Sequence, residues 1–124
     1  MSPLKLCCRP MSVGVLIAVT GELDATNTGQ FESYLDSARL PGEPVLLDLG
    51  GLTFMDSSGL HVLLRLNAAA GEEGGAVHLA AIRDVPARML EITGVWDALN
   101  IHPGVDEAAA AAQAGHADRH RETS

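Results

Sequence analysis

The apolar and polar positions of the chain change period once near its middle, and that change frames the rest. Val45, Leu46 and Leu47 form a short uninterrupted apolar run that ends at Asp48, the pattern of a buried strand. Residues 49–55 lose all regular alternation and predict a loop. From Asp56 the spacing becomes helical. At about 100° per residue, Leu60, Val62, Leu63, Leu64 and Leu66 share a broad apolar side, and Ser57, Ser58, His61 and Arg65 share the opposite one. The expected unit is a strand, a loop and a helix over 57–70 that begins at two serines. Asp56 suits the N-cap, because a carboxylate there accepts backbone N–H groups that the first turn leaves without partners.

Similar changes of period flank this unit. Residues 13–20, rich in Val and Ile, predict a strand that Gly21 breaks. Leu23, Phe31, Leu35 and Ala38 then supply the apolar face of a helix, with Asp24 or Thr26 as its cap. Pro41-Gly42-Glu43-Pro44 is a turn, and Gly71 is placed as the C-cap of the central helix. Residues 76–82 predict another strand, and Pro86 opens a helix through Ile92 that Thr93-Gly94 stops. In that reading Met89, Leu90 and Ile92 face inward, with Val95, Trp96 and Leu99 closing the core. A short strand over 99–102, an alanine-rich helix over 105–114 and a polar tail over 115–124 that frays complete the chain. Residues 1–11 are either an extension or, over 5–8, an edge strand. The repeated Met-Ser leaves Met1 and Met11 as alternative translation starts.

Alternating strands and helices predict an α/β domain with a single sheet of about four or five strands. The 124 residues suffice for one domain with its own core. Composition narrows the chemistry. Hydrophobic residues make up 47% but aromatic ones 3%, so the core is aliphatic. The net charge of −8 and the lack of a Lys/Arg cluster argue against direct nucleic-acid binding. Cys7 and Cys8 are adjacent and give neither a zinc set nor a disulfide framework, which fits a reducing cytoplasm. Lys5, Arg9 and the apolar run 13–19 imitate a secretory leader, but the run ends in a charged GELD instead of a small-residue cleavage site. No apolar run approaches the roughly 18 residues of a membrane span. No cofactor or metal is expected. The glycines of 71–75 lack the Lys-Ser/Thr of a phosphate loop, and His116 and His120, at helical i, i+4 spacing, lack a third ligand nearby.

Three runs in this order, GELD at 21–24, DLGGLTFMDSSGL at 48–60 and RMLEITGVWDAL at 88–99, give the chain a wider likeness. It resembles the anti-sigma factor antagonists, small bacterial regulators of the STAS domain superfamily, over residues 12–112, which places a STAS domain at 12–114. The resemblance implies the STAS fold, a mixed sheet with helices packed mainly on one side. It implies a protein that is not an enzyme but the substrate and ligand of an anti-sigma factor serine kinase, which carries the ATP. Partner switching then follows: binding releases a sigma factor, phosphorylation of the serine directly after the motif aspartate ends binding, and a PP2C-type phosphatase resets the cycle. That serine is Ser57, with Ser58 as the alternative acceptor. The implied partner-binding surface comprises Glu22, Asp24, Asp56, Ser58, Gly59, His61 and Arg65. One position departs from the family, whose common run SSGLG is SSGLH here, with His61 in place of glycine.

The residues themselves support a modification site. A hydroxyl at an exposed helix start carries a phosphate cheaply, because the helix dipole and N–H groups there favour an anion. Two other readings stand beside it. The same fold serves as a scaffold or small-ligand module, in which Asp56-Ser57-Ser58-Gly59 is only a helix cap. Ser57 and His61 also form a nucleophile–base pair at i, i+4, although a hydrolase needs a third group to orient His61 and an oxyanion hole, and no G-x-S-x-G elbow is present.

Overall fold

The computed structural model describes residues 3–122, with side chains through 117. Met1-Ser2, on which one reading of the translation start rests, and residues 123–124 of the tail lie outside the described residues. Five strands form one sheet in chain order: β1 (Lys5–Pro10), β2 (Val15–Leu23), β3 (Val45–Met55), β4 (Val77–Ala80) and β5 (Asn100–His102). β1 is antiparallel to β2, and β2 to β5 run parallel. The sheet is therefore mixed, with the edge strand expected near residues 5–8 running six residues.

Parallel neighbours need crossovers, and helices supply them. α1 (Thr28–Ala38) joins β2 to β3, α2 (Ser57–Glu72) joins β3 to β4, and α3 (Asp84–Ile92) joins β4 towards β5. Alternate residues of the strands, among them Ile17, Val19, Val45, Leu47 and Leu79, pack with Phe31 and Leu35 of α1, Leu60, Val62, Leu63 and Leu66 of α2, and Leu90 of α3. The intervening residues Leu16, Leu46 and Ala80 face the other way and are covered by Ala108 of α4 (Val105–Glu122). Three helices thus share one face and the fourth lies on the other. α4 continues past residue 114, where the sequence predicted fraying, to Glu122.

The largest departure from the sequence reading concerns residues 49–55. They are not a loop but the second half of β3, paired with β2 as far as Leu23↔Met55. Between Ala18↔Asp48 and Thr20↔Gly51, and again between Gly21↔Leu52 and Glu22↔Phe54, β3 holds one extra residue. Each bulge adds one to the normal spacing of two. Leu49, Leu52 and Met55 therefore reach the core at intervals of three. That period belongs to neither element, so the alternation was hidden. For the same reason Gly21 does not break β2, which continues to Leu23.

Smaller corrections concern the ends. α2 passes Gly71, and its C-cap is Glu73, followed by Gly74 at φ 82°, a conformation that suits glycine. Pro86 is the third residue of α3, not the first. Ile92 is 76% exposed; Leu90 and Leu99 are buried in the core, and Met89, Val95 and Trp96 pack partly against it. Behind α1, Arg39 pairs with Glu73, tying the last turn of α1 to the end of α2.

Candidate functional site

β3 delivers the chain to α2 at the C-terminal end of the parallel strands, where ligand and partner sites of α/β sheets gather. Asp56 is the N-cap of α2, as expected. Its Oδ1 accepts the N–H groups of Ser58 at 2.9 Å and Gly59 at 3.2 Å. Its Oδ2 accepts the N–H of Ala25 at 3.3 Å, and its own N–H donates to the carbonyl of Leu23 at 3.2 Å. The residue after GELD and the start of α2 are therefore fastened by one carboxylate and one backbone bond.

The loop so fastened has its own frame. The Asp24 carboxylate accepts the N–H of Thr26 at 2.9 Å, and the Asn27 amide donates to the carbonyl of Glu22 at 2.9 Å while its oxygen accepts the N–H of Asp24 at 3.0 Å. Asn27, not Asp24 or Thr26, occupies the N-cap of α1, and its side chain serves the turn and not the helix. Glu22 and Asp24 are both half-buried.

Ser57 is exposed as the first residue of α2, Ser58 is half-buried, and His61 and Arg65 are exposed one and two turns further on. The predicted polar side of α2 is thus present, but its members are not equivalent. Arg65 is held by Glu32 of α1, Nη2 to Oε1 at 2.8 Å and Nε to Oε2 at 3.3 Å. Gly59 is buried, and a Cβ there would lie 2.7 Å from Cγ of Met55 and 2.9 Å from Cδ2 of Leu23. It lets α2 approach β2 and β3 and so shapes the surface from beneath. Sequence reasoning missed Phe54, 39% exposed and in register with Glu22 at the same end of the sheet. Its signal was the placement of one of two phenylalanines in a supposed loop.

Chemically, the site presents a hydroxyl to an external reagent. The Asp56 carboxylate is engaged with three backbone N–H groups, so it does not orient His61. No other described residue hydrogen-bonds the His61 ring. The described residues hold no group of three His, Cys, Asp or Glu arranged for a metal. The His120 side chain of the His116/His120 spacing lies outside the described ones. No described helix is long and apolar enough to cross a membrane.

The chain that builds this bulged strand, capped helix and antiparallel edge hairpin matches a known family. The STAS domain model matches residues 10–108, and the chain belongs to that family. Its relatives within it are anti-sigma factor antagonists. It is 33% identical over 92 residues to the anti-sigma F factor antagonist of Paenibacillus polymyxa, covering 72% of this chain and 79% of that one. It is 28% identical over 111 residues to the anti-sigma-F factor antagonist RsfA of Mycobacterium tuberculosis, covering 87% of each. The crystal structure of an anti-sigma factor antagonist from Mycobacterium paratuberculosis superposes with a TM-score of 0.81 over 90% of this chain and 95% of that one, at 20% identity.

Proposed function

We propose that this protein is a cytoplasmic anti-sigma factor antagonist that binds an anti-sigma factor serine kinase, displaces its sigma factor, and is released when the kinase transfers phosphate from ATP to Ser57. A PP2C-type phosphatase restores the binding form. The observation that carries the reading is the exposed Ser57 hydroxyl at the first position of α2, fixed next to the Glu22–Asp24 loop through Asp56. Glu22, Asp24, Ser58, His61 and Phe54 form the contact surface, with Asp56 and Gly59 holding its shape and the Arg65–Glu32 pair at its margin. The action on transcription runs through proteins, without direct contact to nucleic acid or membrane.

The size of the switch is reasonable. A 100- to 1,000-fold change in affinity requires about 3 to 4 kcal/mol, and two like charges 4 Å apart at an effective dielectric of 20 repel by about 4 kcal/mol. A phosphate on Ser57 meeting one acidic group or nucleotide phosphate in the kinase pocket is enough. Incubation with ATP and the anti-sigma kinases of the same organism, followed by phosphopeptide mass spectrometry, tests the proposal. Phosphate on Ser57 with one kinase supports it. Retained binding without phosphate would favour the second reading, a constitutive STAS scaffold, for which His61 in place of the family glycine is the pointer.

A further inference from the structure

Two of the donors that normally make a helix start welcoming to an anion are already used here. The N–H groups of Ser58 and Gly59 are taken by Oδ1 of Asp56, and that of Ala25 by Oδ2. A phosphate on Ser57 would instead sit next to the carboxylates of Asp56 and Asp24. No Lys or Arg occurs in either segment that frames it, 21–28 or 53–64. Arg65, two turns along α2, is held by Glu32 of α1. The remaining basic side chain on this face is His61, exposed and four residues after Ser57. Residues at i and i+4 on a helix lie about 6 Å apart at Cβ. Helical side chains tilt toward the N-terminus, so the imidazole at 61 reaches back over position 57.

Resting on the reading of Ser57 as the modified residue, we propose that His61 is the phosphate-binding side chain of the phosphorylated state. Its ring N–H folds back one turn of α2 and donates to a phosphate oxygen, holding the group along the helix and offsetting the field of Asp56 and Asp24. The switched-off form then carries its own counter-ion, and its phosphate is less open to attack when the imidazole is protonated than when it is neutral.

The test needs no kinase. Phosphoserine is incorporated at position 57 during synthesis, so failure to find a kinase and failure of this proposal give separate results. The phosphoserine second ionisation, normally near about 6, is followed by phosphorus NMR against pH in wild type, His61→Gln and His61→Lys. A nearby cation favours the dianion and lowers the midpoint. The expected result is a midpoint about half a pH unit lower in wild type than in His61→Gln, a difference that shrinks at roughly 1 M salt, and a low midpoint restored by His61→Lys. Position 61 is exposed, so all three chains should fold alike by circular dichroism. Equal midpoints in wild type and His61→Gln overturn the proposal.

Discussion

The Asp56 carboxylate accepts the N–H of Ala25 across 31 residues of sequence, so the loop after β2 and the start of α2 move as one piece. A single oxygen pair caps the helix and positions the loop. Asp56→Ala removes both, and loss of an aspartate N-cap costs about 1 to 2 kcal/mol. Urea unfolding should show a loss of that size, with Asp56→Asn retaining most of the stability. Partner affinity should fall further than the stability loss alone would cause, because residues 21–25 lose their anchor.

Ser57 is exposed and makes no bond on which the fold depends, so substitutions there should separate binding from folding. Ser57→Ala should keep both the melting temperature and the affinity for the partner kinase. Ser57→Asp should melt alike but bind at least about tenfold more weakly, since one added charge near an acidic group is worth more than about 1.4 kcal/mol at intermediate dielectric. Calorimetric titration of the two variants checks it.

Gly59 lies under the site, where β2, β3 and α2 converge. A methyl group there meets Met55 and Leu23 side chains at 2.7 to 2.9 Å. Gly59→Ala should destabilise by about 1 to 3 kcal/mol, the usual range for overpacking. The accompanying shift of α2 should also be visible as amide chemical-shift changes at Ser57 and Ser58.

On the opposite side of the sheet, parallel pairing of β4 and β5 brings Nδ1 of His78 within 3.0 Å of Nε2 of His102. His78 is only 7% exposed. One ring nitrogen must donate and the other accept, and because the contact joins Nδ1 to Nε2, the two neutral rings must hold the same tautomer, both Nδ1–H or both Nε2–H. His102→Ala should cost about 1 kcal/mol in urea unfolding, and the His78 tautomer should change in nitrogen-detected NMR.

The start of α2 was legible because Asp56, Ser57 and the leucines behind them satisfy cap chemistry and helical period together. The half-strand before it was not, since each bulge in β3 resets the phase and two glycines stand where the break occurs. Ile92 was expected inside because helix periodicity alone cannot tell a buried stripe from its margin. The His78–His102 contact joins residues 24 apart, which only strand order brings together. Arg65 read as open from its position on the polar face; its partner, Glu32, lies 33 residues away on another helix.

The two bulges of β3 have a consequence for how this segment tolerates change in length. Loops ordinarily absorb an inserted or deleted residue, and residues 49–55 carry the composition of a loop. Here the bulges are the places that can absorb it: deletion of Gly51 would remove the first bulge and bring Leu49 and Leu52 to the normal spacing of two, so both still face the core and the later pairs of the strand keep their partners. Among relatives, a one-residue difference in the distance from Asp48 to Ser57 should therefore fall at a bulge and not in the regular part of the strand.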